Sequence, residues 1–127
     1  MADRDDEVMS ALAFSISQVY ALLVHVCRML PVPIGLPVDA HIPASDAIPA
    51  IRRITEVAGE QPMGETPTLQ LYSGCIHLLA AFDLYGLCSM SYHDNRADGV
   101  AALLLHSQED LESLEIWLMT HNQPHSD

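Results

Sequence analysis

The chain contains no lysine, and its only permanently cationic side chains are five arginines. Seventeen carboxylates oppose them, so the 127 residues carry a formal net charge of −12. Such a charge repels phosphate backbones and anionic lipid headgroups, and we expect no direct binding to nucleic acid. The sequence leaves two explanations open for the missing lysine, namely codon bias in a GC-rich genome or selection against lysine-directed modification.

Cysteine is also scarce. The chain has three cysteines, an odd number, at Cys27, Cys75 and Cys88. They lie in apolar stretches and form no C-x-x-C motif. This pattern predicts buried thiols in a reducing compartment. The first residues are acidic, whereas a secretory signal needs a basic start, so we expect no export peptide and a cytoplasmic location.

Long apolar runs are limited to helix-like segments. Residues 8–30 are long and apolar enough to raise the question of a membrane span, but Gln18, His25 and Arg28 interrupt them. Charged and strongly polar side chains are costly in a bilayer, so we predict a buried core helix and no membrane span.

Half of the residues are hydrophobic, which is enough for one core in a chain of this length. We therefore predict that residues 1–127 form a single all-α domain. Seven of the eight prolines fall between residues 31 and 67, which predicts an extended, proline-rich connection over 31–45. A loose tail is predicted over 122–127, after Pro124.

Apolar spacings of three and four residues indicate helices on both sides of this connection. They predict a compact helical domain with two long apolar helices over about 5–30 and 67–92, and with three shorter helices over about 46–58, 98–106 and 108–121.

Three local patterns set the expected helix starts. Thr66 followed by Pro67 is typical of a cap and a first helical residue. Ser107 and Asp110 match the S-x-x-D capping box, so we expect a new helix to begin after Ser107. Ser45 or Asp46 is the candidate cap of the shorter helix predicted over about 46–58.

The chain lacks the usual marks of a chemical site. Its seven histidines and three cysteines show no recognised zinc spacing, so no metal or cofactor is predicted. A glycine-rich oxyanion turn, a phosphate loop and a nucleotide fingerprint are also missing. We therefore name no catalytic residue.

Asp83 is the polar residue of most interest because it lies within an apolar helical run. It either pairs with a cation (Arg28, Arg52 or Arg53), forming an internal clasp, or marks the solvent edge of its helix. The predicted interaction residues are Arg52, Arg53, Asp83 and Trp117.

These observations favour a non-catalytic protein interaction or regulatory module that forms a homodimer through apolar helix faces. One alternative is a small acidic inhibitor that occupies a basic, nucleic-acid-type groove of a target protein. Another is a small-molecule-binding helical protein or enzyme. Its pocket would be lined by Tyr20, Tyr72, Phe82, Tyr85, Cys88 and His93.

Overall fold

A computed structural model describes residues 3–38 and 43–121. The described residues form four α-helices and one short 3-10 helix, with no β-strand among them, which confirms the predicted all-α class. The elements are α1 (Asp3–Met29), α2 (Ala44–Val57), a 3-10 turn (Ala58–Glu60), α3 (Glu65–Met90) and α4 (Asp94–His121).

The prediction of two separate helices over 98–106 and 108–121 is wrong, because α4 continues through both segments. Ser107 does not cap a helix start. It is fully buried, and its hydroxyl donates a 2.7 Å hydrogen bond to the carbonyl of Gly74 in α3. Asp110, the other half of the predicted capping box, accepts a hydrogen bond from Ser73. Both residues of the predicted capping box therefore form contacts between α4 and α3.

The proline-rich connection is shorter than predicted, because α2 begins at Ala44. Pro43 precedes the helix in an extended conformation, and no side chain caps the start. Pro49 lies inside α2 and not in its first turn. Residues 39–42 of the predicted connection, and the predicted loose tail over 122–127, lie outside the described residues.

Gly64 determines where α3 begins. Its φ of 87° lies in the left-handed region that glycine adopts without a steric penalty, and it immediately precedes the helix. The helix thus starts slightly before the predicted Thr66 and Pro67 signal. Pro67 sits in the first turn, where a missing N–H leaves no helical hydrogen bond unmade.

Contacts between side chains fix the helix directions. Arg4 and His25 of α1 approach Asp94 and Glu115 of α4, so these two helices run parallel. Helix α3 runs antiparallel to α4, and α2 packs against α3. The largest fully buried side chains come from all four helices: Leu23, Val26, Ile51, Ile54, Leu71, Leu78, Val100, Leu111, Leu114 and Leu118.

Two glycines allow α3 and α4 to approach closely. A Cβ at Gly74 would lie 2.8 Å from Cδ2 of Leu111, and one at Gly99 would lie 2.7 Å from Cδ2 of Leu84. Both distances are too short for real carbon atoms. Each glycine therefore offsets its poor helix propensity with a close helix contact.

The segment over 31–38 is held against the helices by a few hydrogen bonds. Gln61 binds both backbone groups of Val32, donating to its carbonyl at 2.7 Å and accepting from its N–H at 3.0 Å. The hydroxyl of Tyr20 donates to the Pro37 carbonyl at 2.8 Å. These bonds satisfy backbone groups that the prolines prevent from pairing in a helix.

Candidate interaction surface

Apolar side chains repeat along the exposed side of α3. Leu69 begins a row with seven-residue spacing, and Tyr72 begins a second row offset by three residues. This spacing is that of the two seam positions of a coiled coil. The surface is referred to below as the outer α3 face and consists of Leu69, Tyr72, Ile76, Leu79, Asp83, Gly86 and Met90.

Much of this face is open to solvent. Met90 is 86% exposed, Leu69 is 56% exposed and Tyr72 is 45% exposed, and the adjacent Leu87 is 45% exposed. Single exposed apolar residues are common on soluble proteins, but several along one side of the same helix are not. The exposed row therefore marks α3 as a candidate interaction surface.

Gly86 differs from the two helical glycines at the α3–α4 contact. A Cβ placed there would meet no other atom within 4 Å, because the residue lies on the exposed side of the helix. Glycine inside a helix costs about 1 kcal/mol relative to alanine. The close packing that explains Gly74 and Gly99 is absent at Gly86 within the described part of the chain.

The opposite side of α3 faces the core. Leu71, Cys75 and Leu78, which recur at spacings of four and three residues, are fully buried. A helix that is apolar on both sides buries both only where neighbours cover each side, and α1, α2 and α4 leave Leu69, Tyr72 and Ile76 exposed. The outer α3 face is therefore left at the surface.

A polar network joins α3 to α4 beside this face. The Ser73 hydroxyl donates to Oδ2 of Asp110 at 2.6 Å, and Nδ1 of His77 donates to the Ser73 carbonyl at 2.8 Å. The rings of His77 and His106 are 5.4 Å apart between centroids. In a nucleophilic triad the imidazole lies between the hydroxyl and the carboxylate. Here the hydroxyl donates directly to the carboxylate, while Nδ1 of His77 lies 3.2 Å from the Ser73 hydroxyl and 3.7 Å from Oδ2 of Asp110, so the network links α3 to α4.

A groove of about 410 Å³ lies between α1 and α4. Phe14 and Leu105 form its exposed apolar edges, and the amides of Gln18 and Gln108 are its largest polar groups. It carries no ionisable side chain. The remaining lining residues are Leu12, Ser15, Val19, Ala101 and Leu104.

The predicted interaction residues lie in different places. Arg52 and Arg53 are exposed on α2, and Asp83 is exposed on the outer α3 face. None of the three forms an ion pair with a described residue. Trp117 is half-buried and stacks on His121, with ring centroids 4.1 Å apart.

The residues of the predicted pocket have very different exposures. Tyr20 and Cys88 are buried, whereas Tyr72 and His93 are exposed. Phe82 and Tyr85 are half-buried against the core. The structure brings Cys88 and His93 together only through a 3.9 Å contact from the thiol to the His93 carbonyl. None of the six lines the groove between α1 and α4, and their joint pocket stays a prediction.

Burial makes two of the cysteines poor nucleophiles. It raises the pKa of Cys27 from 9.0 to about 12. Burial also raises the pKa of Cys75, with a smaller contribution from nearby Cys27. A thiol reacts as its thiolate, so both stay chemically inert near neutral pH.

The starts of α1 and α4 are joined by one exposed cluster. Asp94 accepts a 2.9 Å hydrogen bond from Tyr92 and forms a 3.3 Å ion pair with Arg4. The Tyr92 bond, and then Arg4, lower the pKa of Asp94. Sequence reasoning missed this contact because the residues are ninety positions apart in the chain.

The described residues contain no group of three or more histidines, cysteines, aspartates or glutamates arranged to hold a metal ion. Two helices, Arg4–Met29 and Glu65–Met90, are long and apolar enough to cross a bilayer. In their most apolar 18-residue windows, 44% and 33% of the residues are buried within the fold. The core helices of soluble proteins meet the same length and composition criteria, so these windows are weak evidence for membrane insertion.

The chain matches no protein-family model, no curated protein and no solved structure.

Proposed function

We propose that the protein is a non-catalytic interaction module that self-associates through the outer α3 face. The observation that carries this proposal is the exposed apolar row with seven-residue spacing along α3. Asp83 is the one charged residue of the face, although the chain carries a net charge of −12. Contact through this face therefore brings few like charges together, although the two chains repel each other overall.

The number of apolar side chains on the outer α3 face decides whether their burial can offset the free-energy cost of association. Complete burial of one large apolar side chain contributes about 1.5 to 3 kcal/mol, whereas association costs about 4 to 15 kcal/mol in lost freedom of motion. One exposed leucine cannot meet that cost. Several side chains along the same helix can, including Leu69, Ile76 and Met90.

The network of Ser73, His77 and Asp110 supports the non-catalytic part of the proposal. Its hydroxyl proton is directed at the carboxylate, and its imidazole is bound to a backbone carbonyl. The serine hydroxyl thereby holds α3 against α4, while the imidazole is bound within its own helix.

Sedimentation equilibrium of surface variants tests the proposal. Ile76→Glu places a charge in the middle of the outer α3 face, where a partner would have to desolvate it. We expect the dimer dissociation constant to rise at least tenfold, while circular dichroism shows an unchanged helix content. Ile116→Glu is the matched control, because Ile116 is an exposed isoleucine on α4 and lies outside this face. Equal dissociation constants for both variants would contradict the proposal.

A second candidate function is binding of an uncharged apolar ligand in the groove between α1 and α4. The groove has apolar edges, two amides and no ionisable lining residue, which fits a ligand without charge. Ala101→Leu would fill the groove, and Ala102→Leu, at the next exposed position, is its control. Titration with the neutral dye Nile red should show weaker binding to the first variant only. Identical binding by both would contradict a groove site.

A further inference from the structure

We infer that the partner on the outer α3 face is a second copy of the chain, with its α3 antiparallel and with Gly86 of each copy against Tyr72 of the other. This inference rests on the proposed self-association and adds its geometry. It is carried by the distribution of large and small side chains along α3 and by the position of its one carboxylate.

The outer α3 face is divided into two unlike halves. The first half carries bulky Leu69, Tyr72 and Ile76, whereas the second half contains the charged Asp83, Gly86 and, at its end, Met90. A two-fold axis near Leu79 places the first half of one copy on the second half of the other, with Tyr72 facing Gly86. The face is then complementary to itself, which a surface evolved for an unrelated partner need not be.

Gly86 has a clear role in this arrangement. In an antiparallel pair centred near Leu79, the partner's Tyr72 lies opposite Gly86, because the two residues are equally far from the centre. The open space above Gly86 can receive the tyrosine ring. The exposed Gly86 would then allow two copies to approach closely, as Gly74 and Gly99 allow α3 and α4 to do inside the fold.

Asp83 opposes the parallel arrangement. In a parallel pair, residues of the same number face each other, so two Asp83 carboxylates would meet in an apolar seam and repel. In the antiparallel pair they are separated by about 12 Å along the helix axis, given a rise of about 1.5 Å per residue. A single polar residue in such a seam is a known means of setting helix orientation. Antiparallel helix dipoles favour the same choice.

The extent of the face is also sufficient. With 26 residues, α3 is about 39 Å long, and the face covers almost all of it. A pair of helices in contact over this length can approach the roughly 800 Å² per partner that a stable interface buries.

Cysteine crosslinking with a short bismaleimide tests the geometry. Leu79→Cys lies near the proposed axis and should crosslink to itself in either orientation. Tyr72→Cys and Gly86→Cys should each fail to crosslink alone but should crosslink when the two variants are mixed. The wild-type chain is the control, since its three native cysteines are all buried.

The outcomes separate the two proposals. Crosslinking in the mixture alone, together with crosslinked Leu79→Cys, supports the antiparallel pair. Self-crosslinking of Tyr72→Cys and of Gly86→Cys would overturn the orientation but leave self-association through this face intact. Failure of Leu79→Cys to crosslink at a concentration where wild-type chains are dimeric would overturn both the antiparallel orientation and self-association through the outer α3 face.

Discussion

The hydroxyl of Ser107 in α4 donates a 2.7 Å hydrogen bond to the carbonyl of Gly74 in α3, and both residues are buried. The two helices approach closely at this contact, because Gly74 has no side chain to hold them apart. It keeps the serine hydroxyl, which would be costly to bury alone, fully satisfied.

Ser107→Ala should lower the free energy of unfolding by about 0.5 to 1.5 kcal/mol, since one buried hydrogen bond is lost while the Gly74 carbonyl keeps its helical bond. Urea denaturation followed by circular dichroism measures the change. Ser113→Ala, at an exposed position of the same helix, should have almost no effect. Equal losses for the two variants would show that the Ser107 contact is not stabilising.

Alanine at Gly74 and at Gly86 should have opposite effects on the stability of the monomer. Gly74→Ala drives a methyl group into Leu111 and should cost about 1 to 3 kcal/mol through overpacking. Gly86→Ala meets open space and should add about 0.5 to 1 kcal/mol through better helix propensity. Both variants are best measured by urea unfolding in the Ile76→Glu background, so that self-association does not contribute. A stabilised Gly74→Ala would contradict the close packing of α3 and α4.

Gln61 should be important for the segment over 31–38. Gln61→Ala removes both hydrogen bonds to Val32 and should cost about 1 to 3 kcal/mol, because the glutamine is buried. Gln61→Glu keeps the shape but, when ionised, cannot donate to the Val32 carbonyl. We expect it to be less stable than wild type at neutral pH and to recover part of the loss when acid protonates the carboxyl. An unchanged difference from wild type at both pH values would exclude the donor role.

Alkaline pH should destabilise the fold through its buried thiols. Below the ordinary thiol pKa of 9.0, Cys27 is protonated in both the folded and the unfolded chain. Above it, the unfolded thiol loses its proton, whereas burial keeps the folded one protonated up to about pH 12. The free energy of unfolding should therefore fall in this interval by about 1.4 kcal/mol per pH unit for each such thiol. The raised pKa of Cys75 acts in the same direction.

Urea unfolding at a series of alkaline pH values checks this expectation, and the lack of lysine simplifies it because no ammonium group titrates in the interval. A variant with Cys27→Ala and Cys75→Ala should lose most of the slope, leaving the shares of Tyr20 and Tyr92, whose pKa values burial also raises. An equal slope in this variant would show that the two thiols are not the cause.

The sequence predicts α1 and α3 well because each has an apolar stripe and a clear end, but it divides α4, the longest helix, into two. It fails at Ser107, where a capping box and a mid-helix serine that bonds a neighbouring helix share the same local pattern. Only the position of Gly74, thirty-three residues away, distinguishes the two cases.

The outer α3 face was missed for a different reason. The spacing of Leu71, Cys75 and Leu78 correctly predicts the core side of α3. Leu69 and Ile76 belong to the outer α3 face, on another side of the same helix. When both sides of a helix are apolar, the sequence does not show which side the neighbouring helices cover. Gly86 carried a signal, since a helical glycine suggests close approach, but Gly74 gives the same signal for an internal contact.

Light scattering of the wild-type chain at micromolar concentration, in low and in high salt, tests the central claim most directly. We predict a particle of twice the 13.9 kDa chain mass. Raising the salt should preserve or strengthen the dimer, because the outer α3 face is mainly apolar and salt screens the repulsion between two chains of net charge −12. A monomer in both salts would contradict self-association, and a dimer that dissociates in high salt would show that charged groups hold it together.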